Sequence, residues 1–388
     1  MKNRKIVFIS VFTGIFMFGI SMVMIGSTLP MLKERFGMND IEAGWLFSIL
    51  PIGLLVGSVS FGPIADKYGY RWVLSTAGLF LALGFLGIAH ADFINLLRFC
   101  IFLFGIGGGV MNGASSALVS DLSENENKIT NLNWLGAFFG VGAFCMPLAL
   151  SAIDKSYYTL LIDMASALSL VAALFFAVIS YPITVQKEKI SFKLIPVFVK
   201  NKLFLAICFF LFFQSAFEAL INNWSVSYFI GSAGAVQEEA LLALSFSILG
   251  MVVMRILTGS VMKKSPYNRL VQLALVFLSA GLICLISPVP FVVKTAGMFL
   301  IGAGLAPGFP VMLGLAGQIF KEVSATAFSF AMLIALIGNT IINYTTGVLI
   351  EKYGTNVFPF VILTEIVAMM LIFMLIRVND KNTIQKEI

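Results

Sequence analysis

The sequence predicts an all-α integral membrane protein of twelve transmembrane helices arranged in two six-helix pseudo-repeats. Hydrophobic residues make up 59% of the chain and charged residues only 11%, which is too few to cover a soluble globule with a polar surface. The apolar residues form runs that are long enough to cross a bilayer as helices. Two sequence patterns also recur at one constant spacing, as expected of a duplicated membrane bundle.

Each helix is placed by an apolar run that polar residues, glycine or proline interrupt at both ends. The first run is too long for a cleavable signal peptide, and no small-residue cleavage site follows it, so we expect it to be the first helix. The predicted spans are residues 6–32, 41–61, 72–89, 93–120, 130–153, 158–181, 203–230, 238–262, 270–288, 291–320, 325–350 and 357–376.

One long hydrophilic connection divides the chain into two six-helix halves. Residues 1–183 are predicted to form an N-terminal six-helix bundle, and residues 203–377 a C-terminal bundle. The connection, residues 184–202, alternates basic and apolar residues, which suits either a short helix on an anionic membrane surface or a solvated linker. Residues 378–388 are predicted to be a cytoplasmic tail.

The basic residues predict the orientation in the cell membrane. If both termini are cytoplasmic, the inner segments carry 18 lysines and arginines and the outer loops carry 5. This bias favours cytoplasmic N- and C-termini. Topology therefore accounts for the net charge of +6, and we expect a lipid bilayer and no nucleic acid as partner.

A charged motif follows the second span. It reads G-P-I-A-D-K-Y-G-Y-R over residues 62–71 and is predicted to be a tight turn between antiparallel helices. A related run, G-S-V-M-K-K-S-P-Y-N-R, begins 197 residues later at Gly259, with Lys263 in place of the acid. F-L-F-G-I-G at Phe102 and F-L-I-G-A-G at Phe299 have the same offset of 197 residues, which indicates an internal repeat.

The motif resembles the signature loop of the major facilitator superfamily, G-x-x-x-D-[RK]-x-G-x-[RK]. The resemblance implies the major facilitator fold and transport by alternating access, in which one side of the protein opens while the other is closed. It also implies that the loop latches the inner side, with Asp66 meeting a helix N-terminus or an arginine. The gating positions are Gly62, Asp66, Lys67, Gly69 and Arg71.

The best candidate site lies in the seventh span. Gln214, Glu218 and Asn222 are spaced by four residues, so they share one helix face, with Asn223 and Trp224 beside them. Deep ionisable groups are functional candidates because they are costly in hydrocarbon. Carboxylate and amide groups bind hydroxyls, and an indole stacks on a sugar face. The alternative is hydrogen bonding between helices alone.

Other polar side chains within the spans complete a candidate ring. By resemblance, the first, fourth, seventh and tenth helices line the central cavity, and the ring extends to the fifth and eleventh. Structural packing is the alternative explanation for each residue. Arg255 in the eighth span can reach the interface or pair with an acid. The ring residues are Asn112, Asn133, Trp134, Gln318, Asn339 and Asn343.

Three segments resemble the branch of fucose/galactose/glucose–proton symporters and related sugar-permease-like proteins. They are L-N-W-L-G-A-F-F-G-V-G-A from Leu132, F-E-A-L-I-N-N-W-S-V-S-Y from Phe217 and G-L-A-P-G-F-P from Gly304. The resemblance implies proton-coupled symport of a sugar or similar small polar solute. Those symporters carry carboxylates in helices one and four. Here the first span has none, so Glu218 is the predicted proton-coupling residue.

Several alternatives remain open at this stage. A proton-coupled drug or metabolite exporter is one, although Arg98 precedes Gly105 by seven residues and not by the four typical of such exporters. A facilitated uniporter and a non-transporting membrane receptor are others. No nucleophile–base pair or metal-binding cluster is apparent, so we expect no enzyme, metal site or cofactor beyond a proton gradient. The fold needs only one chain, and we expect a monomer.

Overall fold

A computed structural model of the chain describes residues 2–123, 128–182, 195–262, 265–320 and 323–384. Twelve helices in this part of the chain are long and apolar enough to cross a membrane, which confirms the predicted fold class. The helices are α1 (Lys2–Phe36), α2 (Asp40–Tyr68), α3 (Tyr70–His90), α4 (Ile94–Leu122), α5 (Lys128–Ser151), α6 (Tyr158–Val178), the short α7 (Ile195–Lys200), α8 (Lys202–Gly231), α9 (Gln237–Ser260), α10 (Tyr267–Ile286), α11 (Phe291–Ile319), α12 (Ser324–Tyr353) and α13 (Phe358–Ile384).

The six helices before α7 and the six after it form matching bundles. In the first bundle α2 and α3 pack against α4, α1 against α5, and α3 against α6. In the second, α9 and α10 pack against α11, α8 against α12, and α10 against α13. Between the bundles α2 packs against α12, α5 against α9, and α1 against α8. We call the side that holds both termini the terminal side and the opposite side the distal side.

Glycines at the predicted offset make the same helix crossing in both halves. A β-carbon on Gly53 of α2 would lie 2.5 Å from the carbonyl oxygen of Phe102 on α4. The residue 197 positions later is Gly250 on α9, where a β-carbon would lie 2.1 Å from the carbonyl oxygen of Phe299 on α11. Only glycine allows backbones to approach this closely. Both partners of the contact shift by the same offset, so the contacts confirm the repeat.

The two halves meet closely along α2 and α12 on the distal side. The backbone N–H of Asp40, at the start of α2, donates a hydrogen bond of 2.7 Å to the carboxylate of Glu351. Two turns further on, the Ser48 hydroxyl donates to the carbonyl oxygen of Thr340 at 3.0 Å. These bonds join α2 of one half to α12 of the other and hold the distal ends of the halves together.

The turn predicted over residues 62–71 is wrong in extent. α2 continues as a helix through Pro63 to Tyr68, and α3 begins at Tyr70. The turn is made by Gly69 alone, which has a φ of 79°, a conformation that glycine adopts without steric cost. Asp66 and its neighbours therefore project from the last turns of a helix and not from a loop.

The terminal helices are longer than their apolar runs. α1 extends from Lys2 to Phe36, beyond the predicted 6–32, and α13 continues to Ile384 through the first part of the predicted tail. Helical hydrogen bonding persists after the hydrophobic run ends, since polar residues at a helix end can face water. Residues 184–194 of the predicted linker lie outside the described residues, and α7 occupies part of the remainder.

Candidate functional site

A row of polar side chains runs along one face of α8. Gln214, Glu218 and Asn222 are one turn apart, and Asn201 caps the start of this helix by accepting a hydrogen bond of 2.9 Å from the N–H of Phe204. Gln214 and Asn222 are buried, and Glu218 is half-buried. The members of this row have different partners, which separates their roles.

Gln214 links α8 to α11. Its side-chain Nε2 donates a hydrogen bond of 2.8 Å to the carbonyl oxygen of Leu305. The absence of a side chain at Gly308 makes room for the amide, because a β-carbon there would lie 2.5 Å from Gln214 Oε1. In this structure Gln214 therefore serves helix packing, the alternative that the sequence left open.

Three buried asparagines join α8 to α12. Asn223 Nδ2 donates a hydrogen bond of 3.0 Å to Asn343 Oδ1. Asn343 Nδ2 in turn donates to the backbone oxygen of Asn339 at 2.9 Å and to its side-chain Oδ1 at 3.1 Å. An amide at the centre of such a chain satisfies both neighbours, so these asparagines hold α8 and α12 together.

Replacing Asn343 by leucine is expected to destabilise the protein. The change leaves the buried Nδ2 of Asn223 without its acceptor, at a cost of about 1–3 kcal/mol. Thermal unfolding of the detergent-solubilised protein measures the effect. Asn112→Leu is the control, since Asn112 is half-buried and makes no side-chain hydrogen bond within the described residues. Equal melting temperatures for the two variants would show that the amide chain is not stabilising.

Glu218 lies near a positive charge in the middle of the bundle. Its carboxylate forms no hydrogen bond or direct ion pair with the described part of the chain, but it interacts electrostatically with Arg255 of α9. The Arg255 guanidinium also lies 5.8 Å from the ring centroid of Phe139 on α5. Arg255 thus stands between the candidate carboxylate and the other half. Sequence reasoning missed Phe139, because one phenylalanine within an apolar run carries no signal.

Two further amides have no hydrogen-bond partner among the described residues. Asn222, one turn beyond Glu218, is 9% exposed, and its side chain makes no hydrogen bond to another described residue. The same holds for the half-buried Asn112 on α4. A primary amide offers two donors and one acceptor oxygen. Together with Glu218, these groups form the part of the predicted ring that is not engaged in packing.

Trp224 packs against the other half on the distal side. We call this contact, together with the α2–α12 hydrogen bonds, the distal seal. It is fully buried, and its ring meets the ring of Phe47 on α2 edge-on, with 5.1 Å between the centroids. Its Nε1 has no hydrogen-bond partner among the described residues. In this state the indole is therefore covered by the other half of the protein, and its ring face can become accessible only if the two halves separate.

The remaining ring residues lie towards the terminal side. Trp134 is close to the start of α5 and is 56% exposed. Gln318 is the penultimate residue of α11 and is exposed. Both are distant along their helices from the middle of α8, so the structure does not bring them to the Glu218 row. The side chain of Asn133 lies outside the described residues.

The charged motif lies at the terminal end of α2. Asp66, Lys67 and Arg71 are exposed. The Lys67 ammonium lies 5.0 Å from the ring centroid of Tyr68, and the Arg71 guanidinium lies 5.2 Å from that of Trp72. Each of these cations thus lies within cation–π range of the aromatic ring of the next residue.

A family model described as the Major Facilitator Superfamily matches residues 11–341 of the chain. The chain belongs to the major facilitator superfamily. It is accordingly a multi-pass membrane transporter and not an enzyme, and the resemblance carried by the charged motif is confirmed.

Other major facilitators match the chain over most of its length. The inner membrane transport protein YdiN of Escherichia coli is 24% identical over 87% of this chain and 82% of its own. The glucose/mannose transporter GlcP of Bacillus subtilis is 24% identical over 86% of this chain and 85% of its own. The crystal structure of a D-xylose-proton symporter superposes with a TM-score of 0.78 at 13% identity, over 95% of this chain and 97% of the other. That similarity establishes a shared fold.

Proposed function

We propose that this major facilitator moves a small polyhydroxylated solute, such as a monosaccharide, by proton-coupled symport. The observation that carries the proposal is the pair Glu218 and Asn222. These side chains are one turn apart on α8 and make no hydrogen bonds within the described residues. Unused carboxylate and amide groups in a membrane bundle are costly unless a ligand or water binds them.

The chemistry of this pair suits a sugar. A carboxylate accepts hydrogen bonds from two hydroxyls, and an amide both donates and accepts. Trp224 adds an apolar ring that a sugar face can cover once the distal side opens. Two similar proteins, a glucose/mannose transporter and a D-xylose-proton symporter, support the same solute class.

Proton coupling is assigned to Glu218. In its ionised form the carboxylate attracts Arg255, and in its protonated form this attraction is lost and an O–H donor appears. A proton on Glu218 would therefore free Arg255 from α8 while the solute occupies Asn222. Burying the neutral carboxyl in the low-dielectric centre of the protein also costs less free energy than burying the anion.

The transport cycle would alternate between distal and terminal openings. In the state described here the distal side is closed by the α2–α12 hydrogen bonds and by the Phe47–Trp224 contact. Rocking of the halves would open that seam and close the terminal side, where Asp66 and Arg71 would act as the latch. We propose that the terminal side faces the cytoplasm, in the cell membrane, and that the transporter acts as a monomer.

The test is uptake of labelled monosaccharides into proteoliposomes with and without an inward proton gradient. One sugar is expected to accumulate only with the gradient. Asn222→Ala should raise the KM for that sugar about five- to tenfold through one lost hydrogen bond. Uptake that only equilibrates the sugar and does not depend on the gradient would indicate a uniporter. If no sugar moves under any condition, the solute class is wrong, and cationic drugs should be tested for export.

A further inference from the structure

A cavity lies between the halves at the distal surface. It has a volume of about 700 Å³ and opens to the outside. The end of α1 and the start of α6 contribute one wall, and the connection between α8 and α9 contributes the other. Its lining residues are Pro30, Met31, Glu34, Lys155, Ser156, Tyr158, Ile230, Ala235, Val236, Gln237 and Glu238.

This cavity is separate from the Glu218 row. The α1 and α8 backbones are in close contact between them, because a β-carbon on Gly26 would lie 1.9 Å from the carbonyl oxygen of Asn222. Pro30, which lines the cavity, follows Gly26 by one helical turn on the distal side. A molecule in this cavity is therefore on the distal side of the α1–α8 contact, whereas Glu218 is on its other side.

Two buried polar groups in the cavity wall lack partners. Tyr158 at the start of α6 is 1% exposed, and Gln237 at the start of α9 is 7% exposed. The Tyr158 hydroxyl and Gln237 Nε2 have no hydrogen-bond partner among the described residues. Each belongs to a different half. Leaving a buried donor unsatisfied costs about 1–3 kcal/mol, so this wall favours a ligand that brings acceptor atoms.

The charges around the cavity favour a neutral ligand. Glu34 and Lys155 are exposed and remain hydrated, so they add little binding energy for an ion. Glu238 is half-buried and lies within electrostatic range of the Tyr158 phenol. A ligand that bridges these groups must donate to the carboxylate and accept from Tyr158 and Gln237. Hydroxyl groups do both.

We infer that this cavity is a distal binding site for a small neutral polyhydroxylated solute, which occupies it before the distal seal opens. The choice of solute class rests on the proposed function. The site spans both halves, and its wall moves when they separate. A solute held by Tyr158 of one half and Gln237 of the other therefore lies on the distal side of the α1–α8 contact between the halves.

The test measures how fast a thiol introduced into the cavity reacts, so it does not require transport activity. Ser156→Cys places the thiol at an exposed lining position, and its reaction with a maleimide is followed in nanodiscs. A panel of neutral monosaccharides serves as the probe. At least one sugar is expected to slow labelling about fivefold, and Tyr158→Phe or Gln237→Leu should each remove most of this protection. Asp92→Cys, exposed but outside the cavity, is the control thiol and should be unaffected.

An Asn222→Ala background separates this site from the central one. Protection of Ser156→Cys should persist in that background, because the distal cavity does not include Asn222. Loss of protection there would show that the thiol reports on the central site and would overturn the inference. Failure of every sugar to slow labelling would also overturn it, whereas protection without sugar uptake would leave the site in place and refute the proposed function.

Discussion

Replacing Gly26 by alanine is expected to abolish most transport. The added β-carbon would lie 1.9 Å from the carbonyl oxygen of Asn222, which is backbone and cannot rotate away. The overlap can be relieved only if α1 and α8 separate, at a typical overpacking cost of about 1–3 kcal/mol. That cost shifts the balance against the distal-closed state by about 5- to 150-fold. Since each transport cycle passes through that state, the rate should fall in proportion.

The population shift has its own measurement. Ser48 is buried at the distal seam, so a thiol in Ser48→Cys should react slowly with maleimide in the otherwise unchanged protein and quickly beside Gly26→Ala. Gly314→Ala is the matched control, because a β-carbon on Gly314 would meet no atom within 4 Å. Unchanged labelling of Ser48→Cys in the presence of Gly26→Ala would show that the α1–α8 contact does not hold the distal side closed.

The fold was predictable because the same residues recur at the close helix crossings of both halves. Phe102 and Phe299 belong to the motifs that showed the offset of 197 residues, and their carbonyl oxygens are the contacts of Gly53 and Gly250. A close helix crossing constrains the residue type strongly, so its sequence signal survives in both halves. The extent of the turn at Gly69 was harder to predict from the sequence. Pro63 could equally lie within a helix or in a turn, and the sequence pattern is the same in both cases.

The site was predictable only as a set of polar residues. Spacing alone placed Gln214, Glu218 and Asn222 on one face of α8. It could not show that the Gln214 amide is engaged in helix packing, whereas the Asn222 amide makes no hydrogen bond among the described residues. That distinction depends on Leu305 and Gly308 of α11, 91 and 94 positions from Gln214. Contacts across so long a stretch of chain are set by tertiary packing, which local periodicity does not encode.

Glu218→Gln is expected to abolish proton-driven accumulation while leaving exchange of solute intact. Glutamine keeps a carbonyl oxygen and an N–H donor for a hydroxylated solute, but it carries no titratable proton. It also removes the negative charge that acts on Arg255. Counterflow of a labelled sugar in proteoliposomes should therefore continue at a measurable rate. Uptake should no longer respond to an imposed proton gradient or to external pH.

Glu365→Gln distinguishes a coupling carboxylate from a merely buried one. Glu365 on α13 is 3% exposed and its Oε2 has no hydrogen-bond partner among the described residues, so it is a more deeply buried carboxylate than Glu218 and lacks the arginine that acts on Glu218. Its glutamine variant should retain gradient-driven accumulation, because α13 packs outside the α1–α8 interface. If Glu365→Gln loses accumulation and Glu218→Gln keeps it, the proton travels through α13, and the coupling role assigned to Glu218 and Arg255 is wrong.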